Sequence, residues 1–201
     1  MKKILSVWTS TFLQYLPYLQ EALGPNYCIF TKWYEEIEWD TNGRDTLTAI
    51  QYLEYKKNQW FTCDAIIVQL GGHDIKIDRQ TNKQTTTLEQ FEQNLHKIIT
   101  ISNEISDKII RITPPFFNEK IHNQHNQYAI RKEWDMEKYN NKATQIMSEI
   151  QIPVIDLRNS TKTMYNKNTE NVWTNHSHYR AQYQEKQGHH VAKEILRNKY
   201  L

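Results

Sequence analysis

Asp64-Ala65-Ile66-Ile67-Val68-Gln69-Leu70, followed by Gly71-Gly72, is the stretch that decides the fold. A short run rich in β-branched residues, closed by a glycine pair, predicts a strand buried on both faces and ending in a turn. Two more runs have this character: Ile4-Leu5-Ser6-Val7-Trp8, and Lys108-Ile109-Ile110-Arg111-Ile112-Thr113, which Pro114-Pro115 closes. Pro153-Val154-Ile155-Asp156-Leu157 reads as a fourth strand and Tyr27 to Phe30 as a fifth. Helical spacings lie between them. Phe12 to Leu23 carries apolar residues at 12, 13, 15, 16, 19, 22 and 23 before Gly24-Pro25 stops it. Asp45 to Tyr55 has Leu47, Ile50 and Leu53 in helical register. Thr87-Leu88-Glu89-Gln90 spells a capping box that opens a helix from Leu88 to about Ile105. Further helices are predicted from about Ile130 to Ile150 and from about Gly188 to Asn198. Strands alternating with helices predict an α/β fold, a parallel sheet of about five strands with helices on both faces.

Composition narrows the function. The 201 residues hold 25 Lys+Arg against 23 Asp+Glu, a net charge of +2, which excludes a polybasic nucleic-acid binder and an acidic disordered chain. With 5 Gly, 5 Pro and no low-complexity linker, the chain reads as one domain over residues 1–201. Aromatic residues make up 12%, including 6 Trp and 12 Tyr, which fits a packed globule with polar or carbohydrate-like contacts on some surface. Cys28 and Cys63 stand in no CxxC pair, which excludes a zinc ribbon or redox motif; both are expected to be reduced, partly buried thiols. The opening MKKILSVWTSTFLQYL loses its apolar run at Thr9, Ser10 and Thr11 and shows no small-residue cleavage site. No apolar run reaches the length of about 18 residues that spans a membrane, so a cytoplasmic location is expected.

In open parallel sheets ligands bind beyond the carboxyl ends of the strands. Thr9-Ser10-Thr11 follows the first strand, and Asp40-Thr41-Asn42-Gly43-Arg44-Asp45-Thr46 follows the second. Gly71-Gly72-His73-Asp74 follows the third, and Asn175-His176-Ser177-His178-Tyr179 lies near the C-terminus. A hydroxyl, glycine turns, a polar side chain after a glycine pair and a histidine are the parts of acyl transfer: nucleophile, oxyanion donors and base.

In their order and spacing these blocks resemble those of the SGNH hydrolases, the GDSL esterase/lipase family. ILSVWTSTF stands where that family has its first strand and Gly-Asp-Ser block, TNGRDT where it has its second block, and VQLGGHD where it has Gly-x-Asn-Asp. NHSH, followed by GHHVAKEIL, resembles its Asp-x-x-His block and last helix. The resemblance implies a flavodoxin-like three-layer α/β/α sandwich with no metal or other cofactor.

The resemblance also implies roles. Ser10 takes the nucleophile position, although a serine there also suits the N-cap of the following helix. His178 takes the base position, with His176 a rival two residues away. Ser10, Gly43 and His73 take the oxyanion-hole positions. Asn175 stands where the family has Asp; an amide can hold the ring by accepting from its N–H but brings no charge. His73 stands where the family has Asn, and a neutral imidazole also offers one N–H donor. Thr9 and Trp8 replace the Asp and Gly of the first block, and Trp8 suits the core. Asp74, Tyr179 and Arg180, with Thr9, are candidate substrate-binding residues. His122 and His125 in HNQHNQY match no metal-ligand pattern and suit a solvated loop.

The expected function is therefore a serine esterase that removes a small acyl group, such as O-acetyl, from a saccharide or other small molecule. No nucleic-acid or membrane partner is expected. An acyltransferase using the same serine, or a catalytically degenerate protein that binds a glycan or partner, are the alternatives. The second is motivated by the three substituted positions Thr9, His73 and Asn175.

Overall fold

The computed structural model describes residues 1–31, 45–167, 172–175 and 177–201. Five strands form the central sheet: β1 (Lys2–Trp8), β2 (Tyr27–Thr31), β3 (Ala65–Gln69), β5 (Ile109–Ile112) and β7 (Val154–Ile155). Their order is β2-β1-β3-β5-β7 and all neighbours are parallel. Counted within the sheet alone this is the flavodoxin-like order, whose direction of winding reverses between the first and third strands and opens a crevice there. A separate antiparallel ribbon pairs β4 (Ile77–Asp78) with β6 (Ala129–Ile130).

Alternation along β1 builds the three layers. Leu5 and Val7 face one way, with Ile66 and Val68 of β3, onto α2 (Thr46–Asn58), α3 (Leu88–Ile105) and α5 (Glu133–Glu149). Ile4 and Trp8 face the other way, with Ile67 and Ile110, onto α1 (Ser10–Leu23) and α7 (Ala181–Arg197). Trp8 is core, as its type suggested: it is buried, its Nε1 donates to Thr31 Oγ1 at 2.7 Å, and its ring stacks on Phe12. The Thr87 capping box forms with both reciprocal bonds. Both cysteines are free and half-buried.

Two readings change and one helix is unforeseen. The last helix starts at Ala181, seven residues before the expected Gly188. Gly188 instead marks the closest approach of α7 to α1, where an added methyl carbon would meet Leu19 N and Tyr18 Cβ at 2.7 Å. This crossing matters because α1 begins with Ser10 and α7 follows the His178 loop. The HNQHNQY stretch is a solvated loop only in its second half, after His125. Asn118 caps α4 (Glu119–His125) by accepting from Ile121 N at 2.9 Å, and His122 is fully buried. A helix α6 (Leu157–Lys167) follows β7 directly, with Asp156 Oδ1 accepting from Asn159 N at 3.0 Å. Asp156 is thus a helix cap. Among the described residues, no helix is long and apolar enough to cross a membrane.

Candidate active site

Ser10 is the first residue of α1, immediately beyond β1. Thr9 is the extended N-cap, but its hydroxyl makes no capping bond and pairs with Thr11 Oγ1 at 3.0 Å instead. The first amide groups of a helix lack partners within it, and their dipoles favour negative charge nearby. The serine therefore sits where developing charge on a bound carbonyl oxygen meets helix N–H groups.

His178 approaches from the other end of the chain. Its Nε2 lies 3.2 Å from Ser10 Oγ across 168 residues of sequence. A tight loop carries it. Trp173 and Tyr179 bridge antiparallel, and the His178 carbonyl accepts from Thr174 N at 2.9 Å. Asn175 closes the loop from within: its Oδ1 accepts from Ser177 N at 2.9 Å and His178 N at 3.0 Å. Buried Tyr179 fastens the loop to the core. Its ring packs on Trp173 with centroids 4.4 Å apart, and its hydroxyl donates to the Phe116 carbonyl. Below, His122 Nδ1 sits 3.2 Å from Ser177 Oγ.

The Asn175 amide has only one orientation that satisfies these bonds. Oδ1 is committed to two backbone donors, so Nδ2 faces His178 Nδ1 at 3.0 Å. An amide nitrogen only donates. Nδ1 must then be the acceptor, and the neutral ring carries its proton on Nε2, toward Ser10. This reverses the expectation that Asn175 accepts from the ring.

Ser10 and His178 open onto a cavity of about 190 Å³ at the crevice between β1 and β3, lined also by Thr9, Gly72 and His73. Gly71, at φ +117°, makes the turn that brings Gly72 and His73 to the rim, a conformation that L side chains rarely adopt. Lys76 Nζ lies 3.1 Å from His73 Nδ1. The ammonium donates, so His73 holds its own ring proton on Nε2 and remains an N–H donor at the cavity.

The remaining candidates divide. Gly43 lies outside the described residues, as does His176. Thr9 lines the cavity, whereas Asp74, Tyr179 and Arg180 do not. Arg180 is exposed and its Nε donates to the Trp173 carbonyl at 3.1 Å, so it braces the histidine loop as the N-cap of α7. Asp74 is fully buried and ties the β3 turn to α2, with Oδ1 accepting from Thr46 N at 2.9 Å and Thr46 Oγ1 at 2.6 Å. Sequence reasoning missed Lys76 and Arg131, which also line the cavity. The only signal for Lys76 was its place three residues after His73. Arg131 had none, because the short ribbon that positions it has no periodicity to read.

Asp74 gives a test of this scaffold. Burial pushes its carboxyl up to about 6, against the opposing effect of the Thr46 bonds and reinforced by the nearby Asp45 charge. The folded state thus holds the proton more tightly than the unfolded chain. That stabilisation is complete below the ordinary carboxylate range and is lost as pH rises to about 6; above it the fold carries a buried charge. Asp74→Asn keeps the acceptor and removes the charge. Urea denaturation at pH 7.5 is expected to show the variant more stable than the parent by about 1–3 kcal/mol, with the gap closing toward pH 4. A gap independent of pH contradicts the shift.

No family model matches the sequence, and no curated protein sequence matches it. Solved structures do match in fold. The lipase/acylhydrolase from Enterococcus faecalis superposes with a TM-score of 0.72 at 19% identity, over 98% of this chain and 97% of that one. The acetyl xylan esterase AlAXEase gives 0.69 at 15% identity, over 98% of each chain. An acetylxylan esterase from Geobacillus stearothermophilus gives 0.65 at 16% identity, over 98% of this chain and 93% of that one.

Proposed function

We propose that this chain, whose three-layer fold is that of the SGNH hydrolases, is a serine ester hydrolase that removes a small acyl group, of which acetyl on a saccharide is the leading candidate. One observation carries the reading: a hydroxyl at the start of α1 and an imidazole before α7 meet at 3.2 Å beside a cavity at the sheet's carboxyl edge. Ser10 Oγ attacks the ester carbonyl while His178 takes its proton on Nε2, from the minor tautomer that carries the ring hydrogen on Nδ1. The oxyanion is held by the N–H groups of Ser10 and Gly43 and by His73 Nε2. Collapse expels the alcohol, which takes the proton back from His178. Water then repeats the sequence on the acyl-serine, releasing the acid and restoring Ser10. The cavity's volume is below the roughly 300–1,000 Å³ of drug-sized sites, which suits a small acyl group and a single ring.

A second reading, binding of an acylated ligand without turnover, is favoured by the Asn175 amide alone, because it biases the base toward the tautomer that does not accept from serine. A fluorophosphonate probe tests the first reading. The expected result is a single covalent mass gain that maps to Ser10 and is absent in Ser10→Ala. Labelling elsewhere, or equal hydrolysis of 4-nitrophenyl acetate by both proteins, removes Ser10 from the mechanism.

A further inference from the structure

The cavity that Ser10 and His178 share has a cationic wall. Lys76 immediately precedes β4 and Arg131 immediately follows β6. The ribbon pairs Ile77 with Ile130 and Asp78 with Ala129, so the same register carried one step further sets Lys76 opposite Arg131. Both line the cavity, and no Asp or Glu is among the described residues that do. Arg131 is built in. Asn123 of α4 grips its backbone from both sides, accepting from Arg131 N and donating to Arg131 O, each at 2.9 Å. The residue is 9% exposed, with Nε sealed from solvent and bonded to nothing. Burial lowers the guanidinium to about 10, with no opposing carboxylate, so it stays charged at neutral pH. A buried, unpaired guanidinium is costly unless a partner arrives, and a planar fork of donors suits a carboxylate.

We infer that Arg131 is the anchor for a carboxylate on the substrate, so that the ester turned over at Ser10 is acidic in either its acyl or its alcohol part. The inference rests on the esterase reading of this site and deepens it. The carboxylate occupies the Arg131 wall while the ester carbonyl lies between Ser10 and His73. The substrate thus supplies a counter-charge for the Arg131 guanidinium, which has none among the described residues.

Two matched pairs test it in the intact protein. Hydrogen and methyl esters of 4-nitrophenyl succinate place the charge on the acyl side. Acetylated glucuronic acid and acetylated glucose place it on the alcohol side. The expected result is a preference of at least about tenfold in kcat/KM for the acid of one pair, expressed mainly in KM. That ratio is expected to fall close to one in Arg131→Met and to an intermediate value in Arg131→Lys, which keeps charge but loses the fork. The favoured pair says which side bears the acid. Calorimetric titration with succinate and glucuronate separates this inference from the esterase reading. Binding lost in Arg131→Met supports the anchor even if no ester is hydrolysed. Hydrolysis of neutral esters by the parent protein without acid preference or acid binding overturns the anchor and leaves the esterase standing. Preference surviving in Arg131→Met overturns it too. Should the methionine variant not fold, the parent's own discrimination within each pair decides.

Discussion

Asn175→Asp is expected to raise kcat toward 4-nitrophenyl acetate by about 10² to 10⁴. The physical reason lies in which nitrogen of His178 carries a proton. In the parent protein Asn175 Nδ2 donates to Nδ1, so Nε2 bears the hydrogen and points it at Ser10 Oγ. Such a ring takes the serine proton only from its minor tautomer, which slows attack. Moving its hydrogen to Nδ1 would set two N–H donors against each other at about 3 Å. Turning the amide over would instead strip acceptors from Ser177 N and His178 N. A carboxylate removes the conflict. One oxygen keeps both backbone bonds and the other accepts from Nδ1–H, leaving Nε2 with its lone pair toward Ser10. It also stabilises the imidazolium formed during attack. The reverse exchange in serine proteases costs about 10⁴ in turnover for the same tautomeric reason, which sets the upper end of the range. Nitrogen-15 spectra of the ring report the tautomer independently of rate. A proton already on Nδ1 in the parent, or an unchanged kcat in a folded, Ser10-reactive variant, would sink the argument.

The sheet was legible because its strands are buried on both faces, and burial of that kind writes apolar runs such as Ala65–Val68 and, interrupted only by Arg111, Ile109–Ile112. The α3 start was legible because Thr87 and Gln90 satisfy each other locally. The ribbon β4–β6 and helices α4 and α6 were not. They are short, and they are held by side-chain caps such as Asn118 and Asp156, with no long apolar face to announce them. Order along the chain placed Ser10 and His178 in one block scheme, and the fold brings them together at the β1–β3 crevice. What order cannot express is orientation. Tyr179 and Arg180 adjoin His178 in sequence yet turn into the core and along the loop. Arg131 lies 47 residues before His178 in the numbering and shares its cavity. Asp74 follows His73 directly, but the turn that exposes the imidazole buries the carboxylate under α2.

His73→Ala is expected to lower kcat by about 10² to 10³ with little change in KM, which is the pattern for a donor that engages only the transition-state oxyanion. The measurement belongs on the Asn175→Asp background, where the rate gives the loss room to be read. Lys76 is what makes a histidine suitable here. Its ammonium donates to His73 Nδ1 at 3.1 Å, which fixes the hydrogen on Nε2. In the proposed mechanism the imidazole would then serve as a single-donor substitute for an amide, on the turn that Gly71 makes possible. His73→Asn supplies an N–H of different reach and is expected to fall between the parent and the alanine variant. Lys76→Met keeps the ring but frees its tautomer, so its loss should be smaller than that of His73→Ala. Equal kcat in His73→Ala and the parent would remove this side chain from the oxyanion site and leave the work to the amides at the start of α1. A fall confined to KM would place His73 against the ground-state substrate instead.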